Sequence, residues 1–386
     1  LLFMACGVRS YTMRKAFKYR IYPNVNQKRE LEIMLETHRR LYNECLGQRK
    51  DAYETSQKSI KYTEQSAWFK AERSSNGYYA QLNFSSAQAT MRRLQRSFEN
   101  FFRRVKSGEK PGYPRFKGYG RFTSWTYPAV GDGCRLFDSG KLRLQNIGMV
   151  KVKLHRPWQG EIKTLSIKQE ADHWYVIASC DVGDAPEPRA EQTTVAIDVG
   201  IEHFLSTDDG QHVSNPTYLK QSLKKLRVTG RSVSRKKKGG SNRRKAVHQL
   251  QKVHRKVANQ RRDFHHKEAS KLVQRYAYIA AESLNIKSMV RNSRLSRSIS
   301  DAGWNQFLGI LRSKAEEAGS VFVDVDPKHT SQDCSECGAR VHKKLSVRWH
   351  KCPNCGLKLQ RDVNAARNIL AKARYEPLKH NVRHQA

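Results

Sequence analysis

The sequence predicts a multidomain α+β protein: a small β-barrel-like domain interrupted by a helical insertion, followed by an α/β unit interrupted by a metal-holding module. Three observations predict it. At 386 residues the chain is too long for one ordinary core. Its texture passes from an alternating run to a helical one, then to short apolar runs broken by glycine and proline, then to strands mixed with helices. Near the C-terminal end, Cys334-Ser-Glu-Cys337 and Cys352-Pro-Asn-Cys355 form a C-x2-C-x14-C-x2-C pattern, which lets four thiolates meet at one tetrahedral zinc.

Residues 1–12 read as an N-terminal extension, too short and weakly patterned for a signal peptide, ahead of a start at Met13. From there to Tyr22, Lys15, Phe17, Tyr19 and Ile21 alternate with Ala16, Lys18, Arg20 and Tyr22, which is a strand. Pro23 closes it, and residues 13–26 form the first part of the β domain. Over 27–108, Leu31, Met34, Leu35, His38, Leu41, Tyr42 and Cys45 open a helical periodicity that runs on through Leu94, Phe98 and Phe102 until Pro111 and Pro114. Short strands such as Gly148–Leu154 and Trp174–Ser179 then fill 109–183. The first strand has no partner nearby in sequence, so it is expected to pair with these later strands, leaving the helices as an insertion.

Asp184-Ala-Pro-Glu-Pro188 begins a linker over 184–192. The second unit opens at 193 with Thr-Thr-Val-Ala-Ile-Asp198-Val-Gly200, an apolar strand ending in an acid. His203–Thr207 and the Asp209-Gly210 turn complete a hairpin. Residues 217–262 are densely basic and contain Gly239-Gly240, predicting two basic helices joined by a glycine hinge. Tyr278–Glu282 is a second strand ending in an acid, and Val321–Val325 a further strand, so this part spans 193–328. The zinc module occupies 329–357. Residues 358–373 return to the second unit, with Asp362 on the approach to a helix whose Ala365, Ala366, Ile369 and Leu370 can pack, and 374–386 is a tail.

Lys and Arg total 73 against 35 Asp and Glu, a formal net charge of +38, which calls for a polyanionic partner. No stretch approaches the roughly 20 apolar residues of a membrane span. Cys6, Cys45, Cys134 and Cys180 are scattered without spacing, which fits a reducing, cytoplasmic compartment. His342 and His350 lie between the CxxC pairs; four thiolates already close a structural site, so both are expected to face solvent or phosphate. Candidate phosphate contacts are Arg235, Lys236, Lys237, Lys238, Arg243, Arg244 and Lys245, too dense a cluster for solubility alone. Rings alternate with cations at Phe101-Phe102-Arg103-Arg104, at Tyr113-Pro-Arg115-Phe116-Lys117 and at Arg121-Phe122, offering stacking beside phosphate contacts, although some rings must belong to a core.

Asp198, Glu282 and Asp362, distant in sequence, are candidates for one site, because clustered carboxylates hold the two divalent ions that hydrolyse a phosphodiester. Asp208, Asp209, Asp324 and Asp326 are nearby rivals, read as turn and strand-end residues. The order Ala-Ile-Asp198-Val-Gly, Ala-Glu282-Ser-Leu, the CxxC pair and Arg361-Asp362-Val-Asn-Ala-Ala resembles the RuvC-like nuclease domain of the TnpB family, RNA-guided endonucleases of bacterial insertion sequences related to type V CRISPR effectors. Lys15–Pro23, Leu41-Tyr-Asn43, Leu82–Thr90 and Gly112–Lys117 also resemble that family, so the likeness runs over nearly the whole chain from Met13.

The resemblance implies a β-barrel wedge domain with a helical recognition insertion, then a ribonuclease-H-like (RuvC) domain with the zinc module inserted. It implies Asp198, Glu282 and Asp362 as ligands of two catalytic magnesium ions, with one structural zinc on Cys334, Cys337, Cys352 and Cys355. It also implies three partners: a guide RNA, a target double-stranded DNA and its displaced single strand. The work would be done at the nucleoid and, as the favoured state, by a monomer. Gln88, Arg92, Arg103, Arg104, Tyr113, Arg115 and Lys117 are candidate contacts to RNA or to the flanking motif. Two rivals remain: a transposase that cuts and joins ends with the same acids, and a zinc-containing regulator in which the acids are incidental.

Overall fold

Alternation in β1 (Thr12–Tyr22) sets one side of the first unit: Phe17, Tyr19 and Ile21 are buried, while the intervening side chains stay partly exposed. The computed structural model describes residues 12–190, 193–344 and 347–375, and the chain divides after Asp184 into two compact units. The extension before Thr12 and the tail beyond Tyr375 lie outside the described residues.

In the first unit β1 leads into α1 (Val25–Ser56), α2 (Tyr62–Ser75), α3 (Gly77–Ala80) and α4 (Phe84–Lys106). Asn24 caps α1 through a reciprocal capping box with Gln27, and Asn83 caps α4 by accepting from the Ser86 amide at 2.9 Å. The strands β2 (Ser124–Tyr127), β3 (Cys134–Phe137), β4 (Lys141–Leu144), β5 (Gly148–Lys153), β6 (Glu161–Glu170) and β7 (His173–Asp184) follow. They join β1 in one antiparallel sheet of order β2-β6-β7-β1-β5-β4-β3. The isolated first strand thus finds its partners more than a hundred residues away, as its lack of a local partner requires. Sheet and helices share one core. Within it His38 is fully buried, stacks on Trp125 at 5.7 Å and meets Thr90 Oγ1 at 2.9 Å. Burial pushes its pKa down to about 3, so it is a neutral packing residue.

The second unit is built on β8 (Thr194–Asp198), β9 (His203–Thr207), β10 (His212–Ser214), then α5 (Tyr218–Ser234) and α6 (Ser241–Arg275). β11 (Tyr278–Glu282), α7 (Ile286–Met289), α8 (Ser296–Ala302), α9 (Trp304–Glu317) and β12 (Val321–Val325) come next. The short strands β13 (Trp349–Lys351) and β14 (Lys358–Gln360) lead directly into α10 (Arg361–Tyr375). The main sheet has the order β10-β9-β8-β11-β12, with β8, β11 and β12 parallel.

Strand alternation sorts its two faces. Val195, Ile197, Ile279 and Ala281 pack with residues of α6, α8 and α9, while Ala196, Ala280, Val323 and Val325 pack with Ile369 and Ala373 of α10. α6 runs past residue 262 to Arg275 because Val257, His265, Ala269, Leu272 and Val273 keep one buried stripe going. The 184–190 stretch is anchored: the Arg189 amide donates to the Gly319 carbonyl at 2.9 Å and its guanidinium to that of Val273 at 2.8 Å. No described helix is long and apolar enough to cross a membrane.

Candidate active site and metal centre

The four cysteines converge. Their sulfurs all lie within 4.8 Å of one another, with Cys334–Cys355 at 3.6 Å and Cys337–Cys352 at 3.5 Å. Those separations are far beyond a disulfide bond of roughly 2 Å, and near the ~3.8 Å edge expected for thiolates placed ~2.3 Å from a tetrahedral zinc. Both turns are alike: the Gly338 amide returns to the Cys334 carbonyl at 2.9 Å and the Gly356 amide to that of Cys352 at 3.0 Å. Each glycine sits at a positive φ, +74° and +75°, where a side chain would be strained. The Ala339 amide and the Asn354 side chain hold the Cys337 thiol down to about 6, while against the Leu357 amide, desolvation and the neighbouring sulfurs push Cys355 up to about 12.

His350 departs from expectation. It is fully buried, not turned to solvent or phosphate, and no described group pairs with its Nε2. Lys343 meets its Nδ1, and burial followed by that cation lowers its pKa. The cause is its place on β13, between two exposed strand neighbours, Trp349 and Lys351: alternation turns it inward.

The three acids come together by the same alternation. In the β8–β11 ladder Ala196 pairs with Ala280 and Ile197 with Ala281, so the next step sets Asp198 beside Glu282 on strands ~4.8 Å apart. Both continue the face covered by α10, whose first turn carries Asp362, 5% exposed. Crowding is visible in the electrostatics. Burial raises the Asp198 pKa well above the usual carboxylate range, and the charges of Glu282 and then Asp362 add to it, opposed by Arg361. Burial also raises Glu282, against a hydrogen bond from Thr330 and the charge of Lys372. Arg361 donates to Asp362 Oδ1 from Nε at 3.3 Å and Nη2 at 3.2 Å. At Gly200 a Cβ would lie 2.9 Å from the His203 carbonyl and 3.7 Å from Asp362 Oδ2, so the turn after β8 passes close under the third acid. Among the described residues the cysteines are the group of three or more such side chains placed to hold a metal ion, with ligand atoms within 4.8 Å of one another.

The rival acids are occupied. Asp208 accepts from the Ala196 amide at 2.8 Å, Asp209 from Thr207 and the Gln211 amide, and Asp326 from the Lys328 amide at 3.1 Å. Asp324 grips Arg312 with both oxygens, at 2.8 and 2.9 Å. Sequence reasoning missed the groups around the acids: Thr330, the Arg361 side chain, and a stacked imidazole pair, His203 and His212, with centroids 4.4 Å apart. His203 meets Gln360 at 3.3 Å. Arg361 stands inside the Arg361-Asp362-Val-Asn-Ala-Ala motif and Thr330 inside the 329–357 stretch; nothing periodic marked the histidines.

The candidate polyanion contacts scatter over both units. Gln88 is half-buried and donates to Ser66 Oγ at 3.2 Å, and Arg92 lies over Tyr62 at 5.2 Å. Arg103, Arg104 and Arg115 are exposed. Tyr113 packs edge-on against Phe98 and Phe101 yet stays 46% exposed. Asn43 pins Lys117, accepting from its amide at 2.7 Å and donating to its carbonyl at 3.0 Å. Phe122, by contrast, is core. On the α5–α6 hairpin Arg235, Lys237, Lys238, Arg244 and Lys245 are exposed and Lys236 is half-buried. Arg243 is half-buried, and its guanidinium donates to the Val233 carbonyl at 2.6 Å, closing the end of α5.

Known proteins share this architecture. The OrfB_IS605 family, described as a probable transposase, matches residues 177–293; the Cas12f1-like TNB domain matches 304–369, and a helix-turn-helix domain family matches 13–58. That last stretch folds as β1 and one continuous helix, α1. A Streptomyces pristinaespiralis protein named "Putative RNA-guided DNA endonuclease" is 32% identical over 369 residues, spanning 93% of this chain and 89% of its own. The chain belongs to the TnpB family. An Escherichia coli K12 protein, "Putative RNA-guided DNA endonuclease InsQ", is 27% identical, with 92% of each chain covered. A solved Cas12f1-sgRNA-target DNA complex supplies the fold likeness. Its protein chain aligns with a TM-score of 0.58 at 13% identity, over 93% of this TnpB-family chain and 98% of its own.

Proposed function

We propose that the chain is an RNA-guided DNA endonuclease whose second unit is a RuvC-like, ribonuclease-H-like nuclease, with Asp198, Glu282 and Asp362 as its catalytic acids. The observation that carries this reading is the convergence of three carboxyls from β8, β11 and α10 at one end of a parallel strand pair. A buried carboxyl raised by two others is a site built for cations, since nothing else close by offsets the repulsion fully. The all-oxygen donor set suits magnesium, and clustered carboxylates can hold the two ions ~4 Å apart that hydrolyse a phosphodiester. When bound, such ions supply an activated water and stabilise the leaving oxygen.

The chain's own residues have distinct tasks. Asp198 and Glu282 present oxygens from rigid strand ends, and Asp362 is steadied by Arg361 from its own helix. The four-thiolate zinc site has no open position for water, so its task is structural. In the first unit, the seven-stranded sheet is the wedge domain and α1–α4 the helical recognition insertion. A net charge of +38 answers the phosphates of a guide RNA, of target DNA and of a displaced strand. The name of the Streptomyces relative supports guidance.

The description of the OrfB_IS605 family as a transposase favours a second reading, strand cutting with joining. RNA that stays with the protein through purification separates the two. One discrete RNA at near-stoichiometric yield is expected; random cellular RNA, together with joined DNA products, would favour the transposase.

A further inference from the structure

α10 does more than deliver Asp362. Asn364, Asn368 and Lys372 recur at every fourth residue, which puts them on one stripe of the helix, and all three hold the loop that runs from β12 into the zinc module. Asn364 is fully buried, accepts from the Ser335 amide at 3.0 Å and donates to the Asp333 carbonyl at 2.8 Å. Asn368 donates to the carbonyls of Asp333 and Thr330, both at 2.7 Å. Lys372 donates to those of Lys328 at 2.5 Å and Asp326 at 3.2 Å. Ser335 is the first residue inside the Cys334–Cys337 turn, so this grip reaches the zinc ligands themselves.

The held loop ends on an acid. His329 takes a left-handed conformation, φ +64°, which turns Thr330 inward until it is 3% exposed. Its Oγ1 lies 2.5 Å from Glu282 Oε1 and 3.1 Å from the Pro327 carbonyl. A hydroxyl has one hydrogen to give, and the shorter contact, to an ionised carboxylate, takes it. One oxygen of Glu282 is thereby fixed.

We infer that Thr330 is a positioning residue for Glu282, and that the zinc module, through Asn364, Asn368 and Thr330, sets the orientation of that carboxylate. The zinc-bearing segment therefore governs the site at two points, Asp362 through α10 and Glu282 through Thr330. Groups that orient metal-binding carboxylates are worth about 10–100-fold in metal affinity or activity when removed. This rests on Glu282 being one of the catalytic acids.

The test compares Thr330→Val, Thr330→Ser and Glu282→Ala in the full-length protein. Zinc content, guided DNA binding, cleavage rate, and the shift of melting temperature on adding magnesium are all measured. Thr330→Val should keep its zinc and bind DNA normally, cut about 10–100-fold more slowly, need more magnesium for half-maximal rate, and lose most of the magnesium-induced shift. Thr330→Ser, which keeps the hydroxyl, should restore all three. Unchanged cleavage and magnesium dependence in Thr330→Val, with Glu282→Ala inactive, would overturn the inference and leave the acid assignment standing. Loss of zinc or DNA binding in Thr330→Val that Thr330→Ser does not repair would also overturn it, in favour of a purely structural role. An active Glu282→Ala would instead remove the reading on which it rests.

Discussion

Replacing Asp198, Glu282 or Asp362 with alanine is expected to lower DNA cleavage by about a thousand-fold or more, with guide and DNA binding nearly unchanged. Each substitution removes a metal ligand whose transition-state stabilisation amounts to several kcal/mol, and about 1.4 kcal/mol corresponds to a factor of ten. None removes a cation that faces phosphate. Asp198 adds an independent sign. Its pKa is raised by burial and by two neighbouring acids, so without magnesium its ionisation opposes folding; that penalty is full above the raised value and fades as pH falls through it toward the value of the unfolded chain. Asp198→Asn should therefore raise the melting temperature of the metal-free protein at neutral pH while abolishing cleavage, a trade common at functional sites. Parallel cleavage, binding and melting measurements check it. Near-normal cutting by any single variant removes that residue from the set.

The second large effect belongs to zinc. One zinc per chain is expected on Cys334, Cys337, Cys352 and Cys355. Cys352→Ser should lose it, since Cys352 is 4% exposed and its sulfur sits 3.5 Å from Cys337. Metal and fold are coupled in such small modules, and here the module abuts α10 through Asn364 and Asn368. A loss of ~3–5 kcal/mol in the second unit would lower its melting temperature by roughly 10 °C, and cleavage would fall with it. Metal analysis and melting of wild type and variant decide the point. Full zinc content in the double variant of Cys352 and Cys355 would refute the assignment.

Much of this was legible in residues whose pattern is local. Period-two alternation identified β1, short apolar runs ending in an acid placed Asp198 and Glu282 at strand ends, and the CxxC spacing named four cysteines that do converge. What stayed hidden depends on contacts between distant segments. Thr330 lies in the stretch that leads into the first CxxC pair, but its contact with Glu282 exists only once β11 and α10 are packed against it. Arg243 reads as one more cation of a basic run, and only the turn between α5 and α6 shows that it closes a helix end. His350 was misjudged because counting ligands says nothing of burial, which its inward place on β13 decides. The continuation of α6 to Arg275 follows a buried stripe that the dense charge of residues 217–262 gives no sign of.

Guide-programmed cleavage tests the central claim most directly. RNA-free protein is supplied with a guide that matches a plasmid site beside the flanking motif, or with one that does not, and cutting of the same plasmid is followed in magnesium. The account predicts cleavage only with the matched guide, and mismatches nearest the motif should be the most damaging because pairing begins there. Equal cleavage with either guide, or with none, would contradict it.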